Sequence, residues 1–433
     1  MAHFAIVTPP LAGHVNALAA LAVTLIERGH AVTLFGPIDV RERIPDPRIG
    51  FAALGKDSHP AGALARDERR MGRLLGLLRV PAMIRDLARL TDAVCRDAPG
   101  LIERLGVDAL IVDQLEPGGA VAAETAGVPY ATVATGLHVN REEDVPPPFV
   151  GWAYDPSERG RWKVRGAYRV SDRMMAPIGD VLAHHCRANG LPVHRDAADL
   201  LSPRADLLQA VPSIDYPRRT LSPATRYVGP LRRSDDRTLP ELDALGRDRP
   251  LAFASLGTLQ GAREGLLRRI ASACDTLGLD LVLVHCGLLH PDRARRIEMR
   301  RGEGRTIVRD FVPQRAVLER ADVAILHGGF NTILDALAAR TPPVVLPLAF
   351  EQPAIAARIE RAGVGRRLSP SFATERSLRA AIEGLLRDDD VAARVDVVAR
   401  EIESAGGVEL AADLVEGLLQ TEQLGTRRVE VDA

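Results

Sequence analysis

The strongest constraint on the fold is a segment in which an apolar run, a glycine pair and a helix-forming stretch follow one another. Residues 323–326 (VAIL) are suited to a buried parallel strand. The run ends at 327–329 (HGG), and a helix is predicted from Asn331 until the prolines beginning at Pro342 stop it. A second strand is predicted from Val344. The order strand, loop, helix, strand indicates a parallel sheet covered by helices.

The beginning and the second half of the chain show the same alternation of predicted strands and helices. Residues 3–8 (HFAIVT) predict a strand, a helix follows to Arg28, and Ala31 begins the next strand. A comparable run starts at 251–256 (LAFASL) and repeats strand–helix units. We therefore predict the α/β class, with two doubly wound, Rossmann-like domains that face each other across a cleft.

Composition indicates where the two domains are joined. The stretch 212–250 is rich in proline and charge and has little periodicity, which is typical of a linker. The predicted organisation is a first domain at 1–215, a linker at 216–248, a second domain at 249–405, a last helix at 406–424 that packs back on the first domain, and a disordered tail at 425–433.

Charge and cysteine usage argue against several classes of protein. The 433 residues carry 56 Lys and Arg against 57 Asp and Glu, which argues against a nucleic-acid-binding surface. The four cysteines have no metal-ligand spacing, so no metal site is predicted. No G-x-G-x-x-G follows the first strand, so a dinucleotide cofactor is not expected. The N-terminus lacks the features of a signal peptide and no long apolar segment is present, so we expect a cytoplasmic protein.

The loop at 327–329 has the properties of an anion-binding site. Its glycines allow a ligand to approach the backbone, and the helix that follows presents free N–H groups and the positive end of its dipole. His327 and Thr332 add side-chain donors, and Asp335 lies one turn further on, where it could accept from sugar hydroxyls. A nucleotide diphosphate fits these groups. The alternative is an ordinary strand–helix turn whose glycines serve packing.

His14 and Asp113 are candidates for a catalytic base and its partner. His14 follows the first strand, at the sheet edge where ligands bind in α/β folds. The helix dipole disfavours a protonated imidazole there, so His14 is expected to be neutral and able to act as a base. Asp113 ends another predicted strand and could fix the tautomer of the imidazole. Alone, His14 is also compatible with a loop histidine, and Asp113 with a helix cap.

The longer pattern resembles the nucleotide-sugar signature of the UDP-glycosyltransferases, which have the GT-B architecture. The matching positions, in order, are Phe311, Pro313, Gln314, His327, Gly329, Asn331, Thr332, Asp335, Pro347, Glu351 and Gln352. Pro10-x-x-Gly13-His14 is similar to the glycyl-histidine motif near the start of these enzymes, and Asp113 matches their second catalytic position. Two residues depart from the pattern: Phe311 replaces the usual Trp, and Glu351 replaces the usual Asp of glucose-using members.

This resemblance implies roles for individual residues. Phe311 would stack on uracil, Gln314 and Asp335 would hold the ribose, and Glu351 and Gln352 would bind the hexose. His14 and Asp113 would be catalytic. The complete set of implied nucleotide-sugar-binding residues is Gly13, Ser255, Gly257, Thr258, Phe311, Val312, Gln314, His327, Gly329, Asn331, Thr332, Asp335, Glu351 and Gln352.

Further blocks are similar to the bacterial glucosyltransferases of carotenoid pathways. They include IVDQLEPGGA at 111–120, FASLGTLQG at 253–261 and DSHPAGALAR at 57–66. The resemblance implies an inverting, metal-independent transfer of a hexose, glucose by preference, from a UDP-sugar to a carotenoid diol such as zeaxanthin, without a cofactor. Another apolar acceptor (another hydroxycarotenoid, a sterol or a macrolide), a nucleotide-sugar epimerase and a non-catalytic lipid or nucleotide-sugar binding protein remain alternatives.

A basic segment at 66–89 suggests contact with a membrane. Apolar residues recur there at helical spacing among arginines, as in helices that lie at the surface of a bilayer. Because a carotenoid diol resides in the bilayer, one hypothesis is that this segment touches the inner face of the cytoplasmic membrane. The alternative is a helix that faces the core with a solvated basic side.

Overall fold

The structure is a computed structural model that describes residues 1–67, 79–233, 237–258, 260–299 and 304–431, without the side chains of residues 79, 244 and 421–431. Its strands form two sheets, one of seven strands in the order β3-β2-β1-β4-β5-β6-β7 and one of six in the order β10-β9-β8-β11-β12-β13. Every strand pairing described is parallel, as the strand–helix alternation predicts.

The first sheet is buried on both faces. Its strands are β1 (His3–Val7), β2 (Ala31–Gly36), β3 (Gly50–Ala53), β4 (Ala109–Asp113), β5 (Tyr130–Ala134), β6 (Asp206–Leu208) and β7 (Thr225–Tyr227). Successive residues of a strand point to opposite faces. Phe4 and Ile6 accordingly join one apolar cluster, and Ala5 and Val7 join another.

Helices cover these two faces. They are α1 (Ala12–Glu27), α2 (Arg79–Leu105), α3 (Gly118–Ala126) and α4 (Glu158–Ala188). The cluster of Phe4 and Ile6 contains residues of α1, and the cluster of Ala5 and Val7 contains residues of α2, α3 and α4. The first half of the chain is therefore a doubly wound α/β domain.

The second sheet has the same construction. Its strands are β8 (Leu251–Ser255), β9 (Asp280–Val284), β10 (Thr306–Arg309), β11 (Val323–Leu326), β12 (Pro343–Val345) and β13 (Arg366–Arg367). The helices of this half are α5 (Glu241–Ala244), α6 (Glu264–Thr276), α7 (Pro291–Glu298), α8 (Gln314–Leu318), α9 (Phe330–Ala338), α10 (Gln352–Ala362), α11 (Glu375–Leu386) and α12 (Asp389–Ser404). Leu137, Leu208 and Ile214 of the first half belong to the same apolar cluster as this sheet, so the two halves are in direct contact.

The join between the halves differs from the predicted linker at 216–248. Strand β7 lies inside that range and pairs with β6, with Thr225 opposite Asp206. The prolines and charges on either side of β7 give this stretch the composition of a linker, although its three residues pair in the sheet. The connection between the sheets therefore begins after Tyr227.

The last helix, α13 (Gly407–Val431), returns to the first half of the chain. It packs beside α1, and Arg28 of α1 forms ion pairs with Glu409, Asp413 and Glu416. The helix also continues through the segment from Gly425 onward, where the sequence predicts a disordered tail. No proline is present there to end it.

The basic segment at 66–89 is described only in part. Residues 68–78, which contain most of its apolar stripe, lie outside the described residues, and the helix α2 begins at Arg79. Within the described part of the chain, no helix is long and apolar enough to cross a bilayer.

Candidate active site

The amino ends of two helices face each other across the cleft between the sheets. Helix α1 follows β1 and helix α9 follows β11, so both begin at the carboxyl ends of parallel strands. Asn331 Nδ2 donates a hydrogen bond of 2.9 Å to the carbonyl oxygen of Gly13 and so joins the two helix ends. Because both ends present unsatisfied N–H groups and positive dipole ends, this gap favours an anion.

His14 and Asp113 form a hydrogen-bonded pair on the first-domain side of the gap. His14 Nδ1 lies 2.7 Å from Asp113 Oδ2. The Asp113 carboxylate is fully buried and also accepts hydrogen bonds from the hydroxyls of Thr8 (3.2 Å) and Thr135 (2.9 Å). A carboxylate held in this way fixes the proton on Nδ1 and leaves His14 Nε2 able to accept another. The side chain of His14 remains 15% exposed, so a substrate can reach it.

The pKa of His14 is higher than the helix dipole alone would make it. Burial is the largest influence and lowers the pKa of His14. The charge and hydrogen bond of Asp113, together with the charge of Glu351, outweigh burial and raise the pKa above its usual value. The two carboxylates therefore make His14 a stronger base than an isolated imidazole.

Glu351 reaches this site from the second domain. Its Oε2 accepts a hydrogen bond of 3.1 Å from the backbone N–H of Leu137, and a Cβ on Gly136 would lie 2.5 Å from both carboxylate oxygens. Gly136 is therefore required for this close approach. Burial raises the pKa of Glu351, and the Leu137 hydrogen bond and the charge of His14 partly oppose it. The sequence predicts Glu351 as a hexose ligand and does not indicate that it lies beside the first domain.

His327 is held between two glycines of the second domain. A Cβ on Gly257 or on Gly329 would come within 2.5 Å of His327 Nε2. Gly257 has φ of +74°, which also favours glycine. Burial lowers the pKa of His327 to about 4, against an opposing hydrogen bond at Ser255. His327 is therefore a neutral donor beside the start of α9, and the glycines predicted as binding residues position this ring.

A second cluster lies one turn into α9. Gln314 Nε2 donates to Asp335 Oδ2 at 2.7 Å, and the Thr332 hydroxyl lies 3.4 Å from Gln314 Oε1. Arg232, in the connection between the two sheets, forms an ion pair with Asp335. The structure thus brings together the two residues predicted to hold the ribose and adds a cation to them.

The remaining predicted residues are less closely associated. Phe311 is 68% exposed, as expected for a stacking surface, Val312 is partly exposed beside it, and Thr258 is exposed. Ser255 is buried at the end of β8, where its hydroxyl accepts from the N–H of Gly257 at 3.3 Å. The side-chain oxygen of Gln352 accepts from the N–H groups of Leu348 and Ala349, both at 2.8 Å, so its amide nitrogen is the part left for a ligand.

Three residues of the site were missed in the sequence. Thr135 follows β5 and Gln209 follows β6, so both stand at the sheet edge that also carries Asp113. Gln209 Nε2 donates to the side-chain oxygen of Asn331 and, at 3.1 Å, to the carbonyl oxygen of Thr135. Asp113 was identified because it ends a predicted parallel strand, and the same argument could have identified Thr135 and Gln209. Arg232 gives no such signal, because it lies in an aperiodic stretch.

No cluster of three or more metal-ligating side chains occurs among the residues that the structure describes. The positive features of the cleft are instead the two helix ends and Arg232.

Comparison with known proteins shows extended similarity to glycosyltransferases. Residues 295–416 match the family model described as erythromycin biosynthesis protein CIII-like, C-terminal domain. The chain is 39% identical over 427 residues to zeaxanthin glucosyltransferase of Pantoea ananas, with 98% of this chain and 97% of that protein covered. It is also 39% identical over 417 residues to zeaxanthin glucosyltransferase of Pseudescherichia vulneris, with 96% and 98% covered.

Solved structures show the same architecture at lower sequence identity. The calicheamicin glycosyltransferase CalG4 has a TM-score of 0.77 at 22% identity, with 97% of this chain and 98% of that chain covered. The glycosyltransferase VinC in complex with dTDP has a TM-score of 0.69 at 19% identity, with 97% and 100% covered. The predicted GT-B fold is therefore confirmed.

Proposed function

Because this chain belongs to the UDP-glycosyltransferases, enzymes of the GT-B fold, we propose that it transfers glucose from UDP-glucose to a hydroxyl group of zeaxanthin. Each end ring of this diol carries one hydroxyl, so the products would be the monoglucoside and the diglucoside. The extended identity to two bacterial zeaxanthin glucosyltransferases supports the acceptor. The proposed reaction inverts the anomeric configuration and requires no metal ion or other cofactor.

The proposed base is His14. Its Nε2 takes the proton of the acceptor hydroxyl while the oxygen forms a bond to the anomeric carbon. The bond from that carbon to the UDP oxygen breaks in the same displacement, and attack from the opposite face inverts the configuration. Asp113, at 2.7 Å from Nδ1, stabilises the imidazolium that forms.

Negative charge that develops on the leaving diphosphate would be stabilised at the start of α9. The helix end, neutral His327 and the side chains of Asn331 and Thr332 offer hydrogen-bond donors there. Because these groups are fixed by packing before the donor arrives, little reorganisation is needed during the reaction. A neutral His327 contributes through its N–H group and not through a charge.

The hexose would occupy the space between these two sets of groups. Glu351 lies at the start of α10 and is close enough to His14 to raise its pKa. A carboxylate in this place can accept hydrogen bonds from sugar hydroxyls next to the reacting carbon. Gln352 would add its amide N–H, since its oxygen is held by the backbone.

One observation carries this proposal: the His14–Asp113 pair lies opposite the His327–Asn331 loop, and Asn331 is bonded to the residue next to His14. A base and an anion site joined at this distance are suited to transfer between two bound substrates. A protein that only binds lipid or nucleotide sugar needs no such pair.

The test is to incubate the purified protein with separate UDP-sugars and with zeaxanthin, a monohydroxy carotenoid or a sterol, and to weigh the products. The proposal predicts mass increases of one and two hexoses on zeaxanthin and one on the monohydroxy carotenoid, most rapidly with UDP-glucose. A preference for the sterol would identify another acceptor class. UDP release without a glycosylated alcohol, or no release with any acceptor, would contradict the proposal.

A further inference from the structure

The outward side of α4 carries large apolar residues among cations that form no ion pair with a described carboxylate. The core side of this helix is marked by buried Val164, Ser171 and Ile178, which recur every seven residues. On the opposite side, Trp162 is 70% exposed and Val170 is 60% exposed. We call the cationic and apolar residues on the outward side of α4 the basic face; they are Arg159, Trp162, Lys163, Arg165, Arg169, Val170, Arg173 and Met174, and the exposed Glu158 lies beside them at the start of the helix.

The charge of this region is strongly one-sided. Residues 158–175 contain six cations, namely Arg159, Arg161, Lys163, Arg165, Arg169 and Arg173, and two anions, Glu158 and Asp172. Asp172 is itself paired with Arg141 at 2.6 Å. None of the six cations forms an ion pair with a carboxylate of the described residues. The whole chain has a net charge of −1, so this excess of positive charge is local.

We infer that the basic face of α4 binds the surface of an anionic lipid bilayer. Trp and aliphatic side chains enter the boundary between headgroups and acyl chains, while Lys and Arg reach the phosphates above them. A Trp ring that is 70% exposed beside arginines leaves a large apolar surface in contact with water, which is unfavourable for a surface that meets only solvent. The same residues fit an anionic bilayer in both charge and polarity.

The basic face is also connected to the active site. The chain between β5 and α4 leaves the site at Leu137, whose N–H is bonded to Glu351. Arg141 of this connection lies over the ring of Tyr168 in α4 at 4.8 Å. Further along the same connection, the carbonyl oxygen of Gly151 accepts a hydrogen bond of 2.6 Å from Arg367 of the second domain. A membrane bound at α4 would therefore lie beside a connection that contacts the active site, and that this membrane holds the apolar acceptor is a point that depends on the proposed function.

The chain offers a direct reporter, because it contains two tryptophans, Trp152 and Trp162. In Trp152→Phe, all tryptophan emission comes from Trp162. Vesicles of about one third phosphatidylglycerol and two thirds phosphatidylcholine should shift this emission to shorter wavelength, since the ring leaves water. Brominated acyl chains should quench it. Emission that is unchanged by these vesicles would overturn the inference.

Charge substitutions test the cationic part. Arg165→Gln, Arg169→Gln and Arg173→Gln together should weaken vesicle binding by roughly 100-fold, since each basic residue near an anionic surface is worth about fivefold. The matched control is Arg296→Gln, Arg376→Gln and Arg387→Gln, three exposed arginines of the second domain. Equal loss in both triple variants, or equal binding of the native chain to pure phosphatidylcholine, would overturn the inference.

These binding measurements need neither donor nor acceptor, so they are independent of the proposed reaction. The basic-face triple variant should retain transfer to a short soluble alcohol and lose it to zeaxanthin in vesicles. Absence of transfer by the native chain to either acceptor would contradict the proposed function and would leave the vesicle result valid.

Discussion

Glu351 of the second domain accepts a hydrogen bond of 3.1 Å from the N–H of Leu137 in the first, and its charge raises the pKa of His14. The predicted hexose ligand and the predicted base are thus electrostatically coupled across the cleft. The strength of His14 as a base therefore depends on a residue of the second domain.

The first prediction concerns pH. His14 must be neutral to accept a proton, so transfer should increase as pH rises through its pKa. Asp113 and Glu351 raise this pKa above 6.5 despite burial. The acid limb of kcat/KM, which reports the free enzyme, should therefore have its midpoint above pH 6.5. A midpoint below that value would show that burial dominates or that another group titrates.

Replacing Glu351 by Gln should shift that acid limb to lower pH. The substitution removes one of the two negative charges that raise the pKa of His14 and keeps a similar shape. Glu360→Gln is the control, because Glu360 is an exposed residue of the same helix. The pH profile of kcat/KM would be measured for both variants. Identical midpoints in the native chain and in Glu351→Gln would contradict the coupling.

Asp335 and Glu351 should affect different parts of the donor. Asp335→Ala should weaken binding of both UDP and UDP-glucose by about ten- to a hundredfold, because a hydrogen bond to a charged group contributes about 1.5–3 kcal/mol. Glu351→Ala should weaken only UDP-glucose, since its proposed contacts are with the hexose. Calorimetric titration with each ligand separates the two. Equal loss of UDP affinity in both variants would refute this division between ribose and hexose.

Gln209 should be needed for diphosphate binding. Its side chain contacts Asn331 in the second domain and accepts from the N–H of Leu231 at 2.9 Å. Gln114 is a matched residue: it is equally buried, and it donates to Leu137 and accepts from Val139 within the first domain. Gln209→Met and Gln114→Met should both lower the melting temperature, since each leaves a backbone N–H without its partner.

Only Gln209→Met should also weaken binding of UDP, by loosening Asn331 at the start of α9. Titration of both variants with UDP measures this difference. If the two variants lose UDP affinity equally, the effect is a general loss of stability and Gln209 has no special part in the donor site.

Much of the fold could be predicted because its signals are local. The strand Val323–Leu326 has the bounds that its apolar run predicts. The next helix begins at Phe330, one residue before the predicted start at Asn331. Strand β7 falls inside the predicted linker because the prolines and charges on both sides of it are typical of a linker. Helix α13 extends to Val431, into the stretch 425–433 where a disordered tail is predicted, since polar composition does not by itself stop a helix.

The sequence predicts site residues within each domain but does not predict the contacts that join the two domains. His14, Asp113 and His327 stand at or near strand ends, and Asp335 lies one turn into the helix that follows β11, positions that the sequence indicates. The contacts of Glu351 with Leu137 and of Asn331 with Gly13 join residues more than two hundred positions apart, and no local pattern encodes them. The raised pKa of His14 comes first from Asp113, whose pairing the sequence predicts, and in a smaller part from Glu351, whose place beside the first domain no local pattern encodes.

The most direct test of His14 as the base is the rate of transfer by His14→Ala, measured together with the affinity of this variant for UDP. Loss of a general base lowers turnover by about 10²–10⁴-fold. We expect a fall in this range for glucosyl transfer to zeaxanthin. The affinity for UDP should be nearly unchanged, because the residues proposed to bind the diphosphate belong to the second domain. Turnover close to that of the native chain would contradict the central claim that His14 is the base.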